Sequence, residues 1–208
     1  MKKKGLFITF EGAEGSGKST QIRKAAAYLR KKGHGVLVLR EPGGTRVSEA
    51  IREVILTRSH SKMIPETELL LYLAARAQIV KEKICPALEK GILVLCDRFE
   101  DSTLAYQGYG RGMRIASIQQ VSRMFVRGSL RPDAVFLLDL DPPRGFARGG
   151  RRDRMERQSL EFHRRVRRGF RALAAAEPKR WTVLDATRGI DEIAVKIREK
   201  LNHVLGKS

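Results

Sequence analysis

An apolar run, a glycine-spaced loop and a run of helix formers follow one another over residues 6–32: LFITF, then EGAEGSGKST, then QIRKAAAYLRKK. Glycines let such a loop take backbone angles that a Cβ forbids. Its N–H groups then point at one spot, with a helix N-terminus behind them. Gly12-Ala13-Glu14-Gly15-Ser16-Gly17-Lys18-Ser19 fits G-x-x-x-x-G-K-[ST] in full. This pattern describes a phosphate cradle, in which Lys18 reaches the outer phosphates and Ser19 offers a ligand to Mg²⁺. The phosphates of a nucleotide are expected on Gly12, Ala13, Glu14, Gly15, Ser16, Gly17, Lys18, Ser19 and Thr20.

A cradle of this kind sits between a strand and a helix, and the rest of the chain repeats that alternation. Further apolar runs occur at 36–39 (VLVL), 92–95 (ILVL), 134–138 (AVFLL) and 181–184 (WTVL). They are nearly continuous rather than alternating, as in parallel strands buried on both faces. Helical patterns fill 18–32, 66–90, 115–127, 158–176 and 190–205. The second carries Leu69, Leu73, Ala77, Val80, Ile84 and Leu88 on one stripe, with Pro86 expected to kink or break it near its end. The third carries Ile118, Val121 and Phe125 and stops near Gly128. The expected fold is α/β: a three-layer, P-loop NTPase-type domain over residues 1–208. Ligands of such sheets bind beyond the carboxyl ends of the strands.

Two strand ends carry candidate chemistry. ILVLCDRF places Asp97 and Arg98 after the third run. Asp97 suits a second anchor for Mg²⁺, and Arg98 suits bidentate contact with a phosphate. After the second run, REPGGT reads as a rigid turn in which Thr45 caps a following helix.

FEGAEGSGKST, REPGGT, LLLYLAARAQ and CDRFEDSTLAYQG together resemble the thymidylate kinase family of nucleoside-monophosphate kinases. The resemblance runs from about Gly5 to Leu201. It implies transfer of a phosphoryl group from ATP to dTMP with Mg²⁺, a five-stranded parallel sheet, a mobile lid and a homodimer. By position, Glu14 matches the carboxylate that contacts the sugar 3′-hydroxyl. Arg98 matches the arginine on the dTMP phosphate, Tyr72 the aromatic that stacks on thymine, and Arg76 the donor to its carbonyl edge. Ser102, Tyr106 and Gln107 match the loop that closes around base and sugar. Tyr72 and Arg76 are four apart on a predicted helix and so share a face. Phe99 departs from the family pattern, in which Tyr or His is more familiar there.

Phosphoryl transfer needs cations around the moving group. Some members of the family carry an arginine inside the phosphate loop, where this chain has Gly15. The resemblance therefore assigns the task to a lid at about 147–158, ARGGRRDRMERQ, which is a few residues short of the family pattern. Arg151 and then Arg148 are the expected catalytic cations beside Lys18 and Arg98, and Arg154 lies in a D-R-x-E stretch.

Composition sets the remaining limits. No apolar run approaches the roughly 18 residues of a membrane span. Cys85 and Cys96 are too few for a disulfide framework or a metal set, and a reduced cytoplasm is expected. The net charge, 42 − 23 = +19, favours anionic partners. The basic run HRRVRRGFR (163–171) reads mainly as solvated helix faces. Two other readings stay open: a kinase for dUMP or CMP, and a nucleic-acid-binding P-loop ATPase. No basic motif interleaved with aromatics favours the second.

Overall fold

The computed structural model describes residues 5–128, 130–148 and 153–206. Five strands form one parallel sheet: β1 (Phe7–Glu11), β2 (Val36–Arg40), β3 (Leu93–Asp97), β4 (Ala134–Asp139) and β5 (Trp181–Asp185), in the order β2-β3-β1-β4-β5. Each matches an apolar run to within a residue or so at either end. Phe7 lies opposite Val94, Ile8 opposite Ala134, Val36 opposite Leu93, and Val135 opposite Trp181. The inner strands β1, β3 and β4 are buried almost throughout. The edge strands β2 and β5 are partly exposed.

Alternate side chains of each strand face opposite layers. Ile8, Phe10, Leu95, Phe136 and Leu138 pack against α1 (Lys18–Lys31) and α9 (Ile190–Leu205) through Ile22, Leu29, Ile193 and Ile197. On the other face, Phe7, Val94 and Cys96 meet Ile79, Val80, Ile84 and Leu88. Val135 and Leu137 meet Phe162, Val166 and Phe170 of α8 (Leu160–Ala176). Each buried side chain of this size contributes roughly 1.5–3 kcal/mol of transfer free energy.

The helix expected over 66–90 is continuous but changes pitch. It comprises α3 (Pro65–Ile79), a wide π turn (Val80–Ile84) and α4 (Cys85–Glu89). Pro86 has no N–H, and its ring would strike the carbonyl four residues back, so the ladder widens just before it. The helix expected over 115–127 is α6 (Ile115–Ser122) followed by a second π turn, Arg123–Arg127, which ends at Gly128 with φ 56°. A π turn inserts an extra residue into the helical repeat. Val126 is consequently buried, and Phe125, expected on the apolar stripe, is 73% exposed.

Thr45 caps α2 (Arg46–Leu56) by accepting a hydrogen bond from the Ser48 N–H at 3.1 Å. Two elements carried no clear periodicity. One is α5 (Glu100–Thr103) with the π turn Leu104–Gly110 that extends it, and the other is α7 (Pro142–Arg148). No described helix is long and apolar enough to cross a membrane.

Candidate active site

The carboxyl ends of β1, β2 and β3 open onto a cleft of about 480 Å³. Its walls include Glu14, Gly15, Gly17, Lys18, Ser19 and Thr20 from the phosphate loop. Tyr72 and Arg76 come from α3, Asp97 and Arg98 from the end of β3, and Ser102, Tyr106 and Gln107 from the helix after it. Gly12, Ala13 and Ser16 complete the loop behind this wall. Residues spread over nearly a hundred positions of sequence thus converge: most lie just after a strand or on the helix that follows it, and Tyr72 and Arg76 come from α3, the second α-helix after β2.

The loop holds its own lysine. Lys18 Nζ donates to Gly12 O at 3.0 Å and to Ala13 O at 2.9 Å, and the residue is buried. Burial and the nearby Arg98 charge lower its pKa, against the pull of Glu14 and Asp97. Gly15 has φ 70°, and a Cβ there would lie 2.3 Å from Gly145 O. The loop is therefore pressed against α7, and an arginine at position 15 has no room. Any cation at this turn of the loop must therefore come from another element.

Arg98 adopts φ 72°, a left-handed conformation that costs a non-glycine residue about 1–3 kcal/mol. Its surroundings hold it there. The guanidinium donates to Glu14 Oε1, to Ser102 Oγ at 3.1 Å and to the Tyr106 hydroxyl at 3.3 Å. Burial pushes the Glu14 carboxyl up, but the charges of Arg98 and Lys18 outweigh it and bring the pKa down to about 2. Both partners are therefore charged at neutral pH.

Arg76 is fully buried and three-fold bound. Nε donates to Glu41 Oε2 at 2.6 Å, Nη1 to Thr103 Oγ1 at 2.9 Å and Nη2 to Phe99 O at 3.0 Å. Its guanidinium also lies 5.1 Å from the centre of the Phe99 ring, which packs edge-on to Phe7. Phe99 is buried and fills core space, so a tyrosine or histidine hydroxyl or ring nitrogen would have to find a partner there. Burial raises the pKa of the Tyr72 and Tyr106 phenols, and both stay neutral.

The metal residues expected from sequence stand together. Ser19 Oγ donates to Asp97 Oδ2 at 3.2 Å. Asp97 Oδ1 is buried and accepts no hydrogen bond among the described residues. An acceptor left bare beside a hydroxyl oxygen fits a hard cation that keeps most of its waters. No cluster of three His, Cys, Asp or Glu suited to a metal occurs among the described residues.

The lid arginines diverge. Arg148 Nη1 approaches Gly15 O at 3.4 Å and Ala186 O at 3.3 Å, on the rim of the cleft. Arg151, Arg152 and the glycines at 149 and 150 lie outside the described residues. Arg154 is turned away from the cleft. It is 5% exposed, and it donates to Ile55 O at 2.7 Å and pairs with Glu68 at 2.7 Å. It ties the stretch around residue 154 to α2 and α3 instead of serving as a free cation. In the basic run, Arg167 is likewise structural, bonding Asp139 and Asp141, while Arg164, Arg168 and Arg171 are exposed.

Sequence reasoning missed Glu41, Arg52, Thr103, Asp153 and Met155, which also line the cleft. Arg52 follows the capped helix start by two turns and donates to Pro42 O at 2.8 Å. Its position on the face of α2 below Thr45 was the one available signal.

This constellation can be set beside known proteins. The sequence model described as thymidylate kinase matches residues 10–197. The chain belongs to the thymidylate kinase family. A thymidylate kinase of Deinococcus radiodurans is 53% identical over 196 residues, covering 93% of this chain and 94% of that protein. One from Geobacter sulfurreducens is 48% identical over 206 residues, covering 95% and 96%. The crystal structure of a thymidylate kinase from Ehrlichia chaffeensis superposes with a TM-score of 0.78 at 34% identity, covering 96% of this chain and 99% of that one. The thymidylate kinase fold is thus the frame in which the loop, Arg98 and the Tyr72–Arg76 face meet across one cleft.

Proposed function

We propose that the chain transfers the γ-phosphoryl group of ATP to dTMP, giving ADP and dTDP. The convergence of the phosphate loop with Arg98 and the Tyr72–Arg76 face carries this reading. It offers one anchor for a polyphosphate and a separate anchor, with an aromatic platform, for a monophosphate. ATP lies on residues 12–20, with loop N–H groups and Lys18 on its phosphates. The dTMP phosphate takes Arg98, with Arg52 nearby, while Glu14 accepts from the sugar hydroxyl. Tyr72 stacks on the base, Arg76 donates to its carbonyl edge, and Ser102, Tyr106 and Gln107 close around it.

The acceptor phosphate oxygen is largely ionised at neutral pH, so no general base is required. Catalysis consists of alignment and neutralisation of charge. Ser19 and Asp97 would hold Mg²⁺, which supplies further neutralisation on the donor phosphates when bound. Arg148, already at the Gly15 carbonyl, and Arg151 from the lid bring positive charge to the moving group.

A homodimer is part of the same proposal. Leu70 on α3 and Met124 and Phe125 on the neighbouring π turn are 60%, 65% and 73% exposed, an apolar face suited to a second copy. The two free thiols suit a reducing, cytoplasmic setting. The deciding experiment supplies purified protein with ATP, Mg²⁺ and, in turn, dTMP, dUMP and CMP, and follows ADP release. Efficient turnover of dTMP is expected. Slow turnover of dTMP beside rapid turnover of CMP refutes the assignment.

A further inference from the structure

Glu68 lies on α3 one turn before Tyr72 and two before Arg76. Its side chain is fully buried, and three residues donate to it: Gln107 and Arg111, at the π turn Leu104–Gly110 and its cap, and Arg154. Gln107 Nε2 donates to Oε1 at 2.9 Å. Arg111 donates through Nε to Oε1 at 3.2 Å and through Nη2 to Oε2 at 2.9 Å. Arg154 Nη1 closes on Oε2 at 2.7 Å. Burial pushes the carboxyl upward, but the hydrogen bonds from Arg111 and Gln107 with the Arg111 charge outweigh it and lower its pKa. Glu68 is therefore an ionised acceptor with no proton to give.

That fact decides which way the Gln107 amide points. Its two ends differ only in what they can pair with. Against a carboxylate, only the NH₂ end is tolerated, since a flipped amide would set oxygen against oxygen. The carbonyl Oε1 is left at the other end. It accepts no hydrogen bond from the described residues, and Gln107 lines the cleft with Tyr72 and Arg76.

We infer that Glu68 is a specificity-determining positioning residue: it holds the Gln107 amide nitrogen so that the carbonyl oxygen faces the base. The cleft then presents an acceptor from Gln107 beside a donor from Arg76. A pyrimidine with a ring N3–H next to a 4-carbonyl, such as thymine, matches both. Cytosine mismatches both, with a bare N3 next to an amino group. This inference rests on the proposed seat of the base among Tyr72, Arg76 and Gln107.

The test is the selectivity for dTMP over dCMP in the full chain, read as a ratio of kcat/KM or, where dCMP turnover is slow, of inhibition constants. Glu68→Gln replaces a pure acceptor with a group that both donates and accepts, so the Gln107 amide loses its fixed orientation. The ratio is expected to fall roughly tenfold, the effect of one misdirected hydrogen bond. Loss of lid anchoring or packing lowers both substrates alike and leaves the ratio unmoved. Gln107→Met also lowers the ratio, and adding Glu68→Gln to it lowers the ratio no further, because Glu68 acts through Gln107. If Glu68→Gln fails to fold, Glu68→Gln/Arg154→Met removes a stranded buried charge and is read in the same way. A folded Glu68 variant with the wild-type ratio, beside a Gln107→Met protein that has lost it, overturns the inference. An unchanged ratio in Gln107→Met overturns the seat of the base itself.

Discussion

The Arg76–Glu41 pair allows a sharp calculation, because both side chains are almost wholly buried, at 2% and 3% exposure, and are 2.6 Å apart. Glu41→Met leaves a guanidinium in the interior that cannot give up its proton. Breaking one side of such a pair costs about 3–5 kcal/mol. For a chain of this size that lowers the melting midpoint by about 6–20 °C. Arg76→Met strands the carboxylate instead, and the carboxylate has an escape. Burial already raises the Glu41 pKa above 4.5 even with Arg76 beside it. Without Arg76 it takes up a proton, at a cost of at most about 3.4 kcal/mol at pH 7 and about 0.7 kcal/mol at pH 5. A raised carboxyl pKa means that the folded state holds the proton more tightly. The penalty is therefore absent below about 4.5 and grows as pH rises towards the folded value. The two single variants should separate: the Arg76→Met defect shrinks from pH 8 to pH 5, and the Glu41→Met defect does not. The double variant strands nothing and should return to within about 1 kcal/mol of the parent. Urea denaturation of the four proteins at several pH values reads all of this. A double variant as unstable as Glu41→Met, or an Arg76→Met defect independent of pH, refutes the argument.

Three shorter predictions use other parts of the site. Lys18→Ala should still fold but lose at least about a hundredfold in kcat, because the cation proposed to neutralise the donor phosphates is gone; near-normal turnover would count against it. Gly15→Ala should destabilise the ligand-free protein more than Gly17→Ala, since both have positive φ but only position 15 meets backbone, 2.3 Å away, whereas position 17 has nothing within 4 Å. Equal melting points would remove the clash with α7 from the account. Burial, with the like charge of Asp101, pushes the Glu11 carboxyl up to about 8 despite hydrogen bonds from Ser102 and the Phe99 N–H and the Arg98 charge. Glutamine can keep both contacts, accepting from Phe99 and donating to Ser102. Glu11→Gln should therefore gain stability over the parent as pH rises from about 5 to about 8, and a pH-independent difference would contradict this.

The sheet was legible because each strand is a short apolar run with breakers at both ends, and α1 because the phosphate loop fixes its start. Thr45 was legible as a cap for the same local reason. Phe125 was not. A helix of constant pitch places it with Ile118 and Val121, and only the extra residue of a π turn sends it outward, which no periodicity in that stretch announces. Arg154 shows the other limit. As a sequence it is one of several lid arginines, and its burial depends on Glu68 and the Ile55 carbonyl, far away along the chain. Glu41 escaped notice in the same way, since its partner Arg76 lies 35 positions along the chain on α3. Residues whose role follows from their own neighbours could be read early. Those whose role follows from a distant partner could not.

The net charge of +19 invites the idea that the cleft is simply electropositive. Its cations are instead already engaged. Lys18 rests on two loop carbonyls, Arg98 on Glu14, and Arg76 on Glu41. Such pairing keeps long side chains in one place before any ligand arrives, so little order remains to be imposed during reaction. It also sets a threshold. A ligand displaces Glu14 from Arg98 only if it brings more negative charge than a carboxylate, and a phosphate dianion does. Glu14, once released, is an acceptor placed beside the same ligand, where a sugar hydroxyl can use it. In the arrangement proposed above, the monophosphate group is expected to open the sugar site, and a nucleoside without it to leave the pair closed.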